Sequence, residues 1–271
     1  MRVEEVRTVV ELPDTRVAVS GDWHGNVTWI RLVARATRAL APDVRTILQL
    51  GDWWADDPRV DEVLAECGID RVLVTLGNHE DYGVLRAPLA DHPGSAIRVT
   101  ERQWVLSRPF NFTIGGRRFL SLGGASSIDK LYRVEGYSWW PDELITDEQV
   151  EAAVAGGEVD VMLTHESPAS TPVKAVQEVL RANPLGIDED ARMISAASRV
   201  RVRQVWNSVN PKLLAHGHMH TPAGGTTPDG RRVSSLGADG QQGNLAFLDL
   251  RTLELETPSL REIRAAGGDA E

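Results

Sequence analysis

The sequence contains a single cysteine, Cys67, among its 271 residues. A lone cysteine cannot form a disulfide within the chain, and it cannot supply the several thiolates of a cysteine-built zinc site. The sequence therefore excludes the class of small secreted domains that depend on disulfides. Its cysteine content is typical of proteins that work in a reducing cytosol.

Long hydrophobic runs and an excess of positive charge are also missing. No run reaches the roughly 18 apolar residues of a membrane-spanning helix, and acidic residues interrupt the first segment, MRVEEVRTVVELP. The formal net charge is −10, whereas duplex nucleic acids and anionic membranes attract clustered positive charge. We therefore expect a cytoplasmic protein that binds neither duplex nucleic acid nor membranes, and the sequence leaves its oligomeric state open.

The order of predicted elements indicates an α/β fold. Short β-rich runs alternate with helical patterns through the first third of the chain, which is typical of crossover connections in a mostly parallel sheet. The segment FNFTIGGRRFL predicts a hairpin, and residues 123–145 predict a long loop that covers or shapes a site. We expect one domain over residues 1–263 and a short mobile tail over residues 264–271.

Aspartate, asparagine and histidine residues follow five apolar β runs. Ligands of open α/β sheets bind outside the carboxyl ends of the strands, so we expect these side chains to meet in one crevice. Unpaired carboxylates and imidazoles buried there would be strongly destabilising, which indicates a bound metal. The residues are Asp22 and His24 in GDWHGN, Asp52 in GDWW, Asn78 and His79 in GNHE, His165 in THE, and His218 and His220 in HGHMH.

The chemistry of these groups limits which metals they can hold. Imidazole, carboxylate and amide oxygen without thiolate suit Mn²⁺, Fe, Zn²⁺, Co²⁺ or Ni²⁺. Even with His79 set aside, two aspartates, one asparagine and four histidines are too many ligands for one four- to six-coordinate ion. Two ions that share a carboxylate therefore fit the set better than one.

The ordered motifs resemble the signature of the calcineurin-like metallophosphoesterase superfamily, which is DxH, GD, GNH[ED], a lone His and GHxH. The resemblance spans residues 22–220. It implies a four-layer α/β/β/α sandwich with two mixed β-sheets and two divalent metal ions, with Mn²⁺ the ion we expect. It further implies that Asp52 bridges the ions, one held by Asp22, His24, Asp52 and His220 and the other by Asp52, Asn78, His165 and His218.

The same resemblance implies hydrolysis of a phosphate ester by a hydroxide that bridges the two metal ions. His79 follows Asn78 and is implied to be a catalytic residue rather than a ligand, contacting a phosphoryl oxygen or protonating the leaving group. The segment GDWWADD lacks the Asp and Arg of the GDxxDRG motif that protein phosphatases of this superfamily usually show. We therefore favour a nucleotide or cyclic nucleotide phosphodiester over a phosphomonoester or phosphoprotein.

A metal-binding scaffold without catalysis is the alternative of another class. Such a protein would be expected to have lost some of its ligands, whereas this sequence has every one. The complete set favours an enzyme.

Aromatic and basic residues near the motifs are candidates for substrate binding. We expect at least one tryptophan near the motifs or in the long loop to line the mouth of the site and stack on a nucleobase or another flat group. The candidates are Trp23, Trp53, Trp54, Trp139 and Trp140. Lys130 and Arg133 belong to the long loop, and they either reach a distal phosphate or form solvated ion pairs.

Three residues beside the motifs have open roles. His216 alternates with His218 and His220, so it either holds a ligand in place or packs in the core of a strand. Glu80 and Glu166 each follow a motif histidine, and each either orients that histidine or is solvated.

Overall fold

The computed structural model describes residues 3–268. The strands in this range are β1 (Glu5–Arg7), β2 (Glu11–Leu12), β3 (Arg16–Ser20), β4 (Thr46–Gln49), β5 (Arg71–Val74), β6 (Ala96–Arg98), β7 (Gln103–Leu106), β8 (Phe110–Ile114), β9 (Arg117–Leu122), β10 (Val161–Thr164), β11 (Leu213–His216), β12 (Ala223–Thr226), β13 (Arg232–Ser235), β14 (Leu245–Asp249) and β15 (Leu255–Glu256). The helices are α1 (Val27–Leu40), α2 (Pro58–Glu66), α3 (Tyr82–Asp91), α4 (Asp147–Ala155), α5 (Lys174–Ala182), α6 (Glu189–Val209) and α7 (Leu260–Gly267), with short 3₁₀ turns at Lys130–Tyr132 and Pro141–Glu143.

The strands form two mixed sheets. The first has the order β1-β6-β7-β5-β4-β3-β14-β15, with β3, β4, β5 and β7 parallel to one another. The second has the order β12-β13-β11-β10-β9-β8-β2, with β9, β10, β11 and β13 parallel. Antiparallel strands flank each parallel core, such as β14 beside β3 and β8 beside β9.

Three apolar clusters separate four layers. Successive side chains of a strand point to opposite faces, so neighbouring residues join different clusters. Ile47 packs against the helices that cover the first sheet, whereas Leu48 lies between the two sheets. Leu213 also lies between the sheets, and Leu214 packs against the helices that cover the second sheet. The predicted α/β/β/α sandwich is therefore confirmed.

The structure confirms the predicted hairpin but differs from the predicted C-terminal tail. The predicted hairpin is formed by β8 and β9, and Gly115 and Gly116 turn between them with φ of 56° and 75°. From residue 264 the structure differs from the predicted mobile tail. Residues 264–267 belong to α7, which packs against α1 because Ile263 is buried in the same apolar cluster. Residues 269–271 lie outside the described residues.

The helices of the described chain include none with both the length and the apolar character needed to cross a membrane.

Candidate metal centre

Five strand ends bring the motif residues together at one edge of the sandwich. Asp22, Asp52 and Asn78 follow the adjacent parallel strands β3, β4 and β5 of the first sheet. His165 follows β10 of the second sheet, and its Nδ1 contacts the backbone oxygen of Leu50 at 2.6 Å. A carbonyl oxygen can only accept, so Nδ1 carries the proton and Nε2 faces the centre. This bond fixes the ends of the two sheets to one another.

Asp22, His24, Asp52 and His220 form the first cluster. One possible ligand atom from each of these four residues lies within 4.8 Å of those of the other three, so the group can hold a metal ion. Nε2 of His220 lies 2.8 Å from Oδ2 of Asp22, and Nε2 of His24 lies 3.6 Å from Oδ2 of Asp52.

A second cluster adjoins the first through the other oxygen of Asp52. Nε2 of His165 lies 3.3 Å from Oδ1 of Asp52 and 3.0 Å from Oδ1 of Asn78. The imidazole of His218 packs beside that of His165, with ring centroids 5.0 Å apart. Nε2 of His218 is buried and has no hydrogen-bond partner among the described residues. A buried polar atom without a partner is costly, and a cation at this position would satisfy it. The residues present therefore fit a second ion.

Backbone strain concentrates at these residues. His24, Asp52, His218 and His220 have φ of 45°, 52°, 63° and 47°, in the left-handed region that non-glycine residues rarely adopt. Each such residue costs on the order of 1–3 kcal/mol, and strain of this kind clusters at functional sites. Gly51 has φ of 95°, and a Cβ there would meet the His165 ring and lie 2.8 Å from Cα of Gly77. Glycine at this position therefore lets the strand ends approach closely.

Asp239 orients His24. Its Oδ1 lies 2.8 Å from Nδ1 of His24, and its Oδ2 accepts a hydrogen bond from the Asn26 amide at 2.7 Å. An ionised carboxylate can only accept, so Nδ1 carries the proton and the lone pair of a neutral His24 lies on Nε2, facing Asp52. Sequence reasoning missed Asp239, because it belongs to no motif and is 215 positions away from His24.

The long loop orients Asn78. The Asn78 amide donates to Oγ of Ser127 at 3.0 Å, which leaves its Oδ1 facing His165. The Ser127 hydroxyl donates in turn to the buried Glu143 carboxylate at 2.7 Å, and so does the Ser127 backbone N–H. Burial is the largest influence on this carboxyl, raising the pKa of Glu143 to about 6. Residues 123–145 therefore shape the site by fixing a candidate ligand, and no sequence motif indicates this relay.

Charges within the centre compensate one another. Burial disfavours protonation of His24 and His165, but hydrogen bonds and charge interactions with Asp52 outweigh it and raise their pKa values to about 9 and 10. Burial works against ionisation of Asp52, but the neighbouring His165 and His24 hold its pKa well below the usual value. Burial lowers the pKa of His218. In the metal-free protein, the protonated histidines thus take the place of cations beside Asp52.

His79 lies at the rim of the centre. Its backbone N–H donates to Oδ1 of Asp52 at 2.9 Å, and its Nδ1 contacts the Arg133 guanidinium. Burial, and then Arg133, lower the pKa of His79. Nε2 of His79 lies 3.8 Å from Oδ2 of Asp129, and the same oxygen forms an ion pair with Nε of Arg133 at 3.2 Å. Nη1 of Arg133 is buried and makes no hydrogen bond within the described chain.

Four of the five tryptophan candidates are buried, and Trp54 is exposed. Trp23 is fully buried and its indole N–H donates to Ser20, and Trp53 is also buried and donates to Gln103. The expectation that Trp23 contacts substrate is therefore corrected, because its indole has its partner inside the protein. Trp53 is buried but is also part of the lining of a cleft beside His79, so its contact with substrate stays a prediction. Trp54 is 41% exposed, and its ring lies 5.7 Å from that of His79.

The remaining candidates have structural contacts. Nζ of Lys130 lies 3.9 Å from the centre of the Trp139 ring. His216 is buried in β11, where its Nδ1 contacts the backbone oxygen of Gly217 and its Nε2 has no hydrogen-bond partner among the described residues.

Glu80 and Glu166 are both buried, so neither is solvated. Glu80 accepts from the backbone N–H groups of Gly77 and Trp53, and Glu166 accepts from that of Ser167. Glu80 thereby positions the turns that carry Asn78 and Asp52.

Two cavities adjoin the centre, and His79 lines both. A cavity of about 630 Å³ is also lined by Asp52, Asn78, His218 and His220, and it extends along α5 and α6. A cleft of about 410 Å³ lies on the other side, lined by residues that include Trp54, Arg133, Tyr137 and Trp140.

Comparison with known proteins assigns the family. A sequence model of calcineurin-like phosphoesterases matches residues 15–222, so the chain belongs to this family of metal-dependent hydrolases. Comparison with curated proteins finds no match.

Solved structures resemble the chain in fold. The protein TT1561 of Thermus thermophilus is 14% identical with a TM-score of 0.53, over 91% of this chain and 99% of that one. A dimetal phosphatase from Danio rerio is 14% identical with a TM-score of 0.56, over 92% of this chain and 97% of that one. At such identities the likeness establishes the fold alone.

Proposed function

We propose that the protein hydrolyses a phosphodiester with the aid of two divalent metal ions, with Mn²⁺ the expected ion. The observation that carries this proposal is the position of Asp52. Its Oδ2 faces His24 and its Oδ1 faces His165, at 3.6 and 3.3 Å. One carboxylate thus serves both clusters. Asp22, His24, Asp52 and His220 hold one ion, and Asp52, Asn78, His165 and His218 hold the other.

The ions supply positive charge that neutralises the phosphoryl oxygens and lowers the pKa of an attacking water. The chain's own residues orient the substrate and handle the proton. Because the Arg133 guanidinium can only donate, Nδ1 of His79 accepts and Nε2 carries the proton of the neutral ring. We assign this Nε2–H as a hydrogen-bond donor to a phosphoryl oxygen or the leaving oxygen. Because the ring is neutral, it stabilises the negative charge that develops there and keeps its proton. Nη1 of Arg133 has no hydrogen-bond partner within residues 3–268, and we assign it to a phosphoryl oxygen.

The two cavities favour a diester. A diester has two substituents on phosphorus, and His79 lies between a cavity and a cleft that can take one each. The exposed Trp54 indole in the cleft supports a planar substituent such as the base of a nucleotide or cyclic nucleotide. A phosphomonoesterase or phosphoprotein phosphatase is the alternative within the family, and a non-catalytic scaffold is the alternative outside it. The single cysteine supports a cytoplasmic location.

The direct test compares bis-p-nitrophenyl phosphate with p-nitrophenyl phosphate, with and without Mn²⁺. We expect Mn²⁺-dependent hydrolysis with preference for the diester. Preference for the monoester would select the monoesterase alternative. Hydrolysis of neither ester by protein that contains two ions would select the scaffold.

His79→Ala tests the assigned role of His79. Removing one preorganised hydrogen-bond donor to a developing oxyanion costs about 10²–10³ in kcat, so we expect a loss in that range with both ions retained in elemental analysis. His92→Ala is the matched control, because His92 lies at the end of α3 outside the centre. Loss of an ion from His79→Ala would instead make His79 a ligand.

Trp54→Ala tests whether a planar substituent of the substrate stacks on the Trp54 indole. Stacking contributes roughly 1–3 kcal/mol per base, so we expect KM for a cyclic nucleotide to rise about 5- to 150-fold. An unchanged KM would remove Trp54 from the substrate site.

A further inference from the structure

The larger cavity continues far beyond the metal centre. It begins at Asp52, His79 and His218, and it runs between the end of α5 and the start of α6. Its volume of about 630 Å³ exceeds what a phosphate group alone would fill. A substituent of the substrate is therefore needed to occupy the part along α5 and α6, here called the distal groove.

The wall of the distal groove is largely apolar. Val179 and Leu180 of α5, Leu185 and Ile187 of the connecting segment, and Met193 of α6 line it. Leu185 is 74% exposed and Met193 is 62% exposed. Leaving large apolar side chains in water is unfavourable, so their grouping beside a site indicates an apolar ligand.

The connecting segment holds its apolar side chains in a fixed turn. Asn183 ends α5 with φ of 48°, and its side-chain oxygen and nitrogen both bond the backbone of Ile187 at 2.9 Å. Leu185 lies within this closed turn. Hydrogen bonds at both ends of the turn therefore hold Leu185 in its exposed position, as expected of a preformed wall of a binding site.

Exposed apolar residues also concentrate around both cavities. Among the described residues, twelve large apolar side chains are exposed, and five of them line the cavity or the cleft. Those five are Trp54, Val84, Tyr137, Leu185 and Met193.

Two arginines on α6 indicate that the apolar ligand is attached to an anion. Arg192 and Arg199 line the same cavity together with one carboxylate of this helix, that of Glu189, so the cations outnumber the anion along α6. Arg199 donates to Oγ of Ser195 at 2.6 Å, and Arg192 is exposed. Guanidinium groups beside an apolar wall suit a phosphoester that bears a hydrocarbon chain better than they suit a purely apolar partner.

We propose that the distal groove binds a flexible alkyl chain on the phosphodiester substrate, while the cleft at Trp54 takes the other substituent. This inference rests on the proposed function, because it assigns one substituent of the same diester. The substrate class is thus a phosphodiester with one planar and one hydrocarbon substituent.

The test uses p-nitrophenyl alkyl phosphates with methyl, butyl and hexyl chains, on protein loaded with Mn²⁺. The oxygen of water bonds to phosphorus, and the bond from phosphorus to the nitrophenyl oxygen breaks with its electron pair leaving on nitrophenolate. The alkyl phosphate keeps the oxygen of the water, and the protons of the water pass to the buffer. A buried methylene favours binding by roughly two- to fourfold, so kcat/KM rises at least about 30-fold from methyl to hexyl. A flat chain-length profile overturns the inference but leaves the proposed function standing. No hydrolysis of any of these esters by protein that holds two ions overturns the proposed function.

Variants with a new charge test where the alkyl chain of the substrate binds. Leu185→Asp and Met193→Asp place a carboxylate in the distal groove, and we expect the hexyl-to-methyl ratio of kcat/KM to fall at least tenfold. Both side chains are exposed, so the fold tolerates the change, which circular dichroism checks. Val200→Asp is the matched control, since Val200 is 56% exposed on α6 and does not line the cavity. If neither groove variant changed the hexyl-to-methyl ratio of kcat/KM, the alkyl chain would bind elsewhere and the assignment would be overturned.

Discussion

Replacing Asp239 tests how the fold prepares one metal ligand. The Asp239 carboxylate lies 2.8 Å from Nδ1 of His24 and sets its tautomer, although it stands outside every sequence motif. Residues that orient a ligating histidine typically contribute 10- to 100-fold in metal affinity. We therefore expect Asp239→Ala to weaken the ion at Asp22, His24, Asp52 and His220 by that factor, which is about 1.4–2.7 kcal/mol.

The assay is competition for Mn²⁺ with a chelator of known affinity, which resolves a tighter and a weaker ion. Asp239→Asn keeps an acceptor oxygen for Nδ1, so its loss should be smaller than that of Asp239→Ala. Asp160→Ala is the matched control, because Asp160 is similarly exposed, 22% against 23%, but pairs with Arg117 and Lys212 away from the centre. If each ion bound to Asp239→Ala with the same affinity as to the unchanged protein, the assigned role of Asp239 would be refuted.

Two further predictions concern protons. His24 and His165 have pKa values of about 9 and 10 without metal, so loading both ions at pH 7 should release about two protons; calorimetry in buffers of different ionisation enthalpy measures this, and no release would contradict it. Burial lowers the pKa of His216 to about 4, below its unfolded value of 6.5, so its contribution to stability is full above pH 6.5 and lost towards pH 4. The test measures the free energy of unfolding by denaturant titration of chelated protein at pH 6.5 and at pH 4. Between these pH values His216→Leu should lose about 3 kcal/mol less of this free energy than the unchanged protein does. Equal losses in the two proteins would contradict the prediction.

The metal centre could be predicted from the sequence because its residues lie in short motifs at strand ends. Asp22, Asp52 and Asn78 each follow a strand of one parallel sheet, and parallel order alone brings such ends together. The same argument placed His165 and His218 in the same crevice, and the structure shows that they follow strands of the neighbouring sheet. Local pattern and topology were therefore sufficient for the centre.

Residues that act through distant contacts could not be found in this way. Trp23 and Trp53 lie beside motif residues, but Ser20 and Gln103 hold their indoles in the core. Whether an indole faces the core or the mouth depends on packing that sequence patterns do not report. Asp239 likewise gains its role only from a contact between remote segments.

The distal groove depends on tertiary packing as well. Leu185 and Met193 look like ordinary residues of a loop and a helix in the sequence. Only the approach of α5 and α6 to the metal centre places them in the cavity that contains His79.

The most direct test of two metal ions that share Asp52 is elemental analysis of the protein after chelation, reloading with Mn²⁺ and desalting. We predict two ions per chain in the unchanged protein, one in His24→Ala, one in His218→Ala and none in Asp52→Asn. One ion or fewer in the unchanged protein, or two ions retained by Asp52→Asn, would contradict the shared carboxylate.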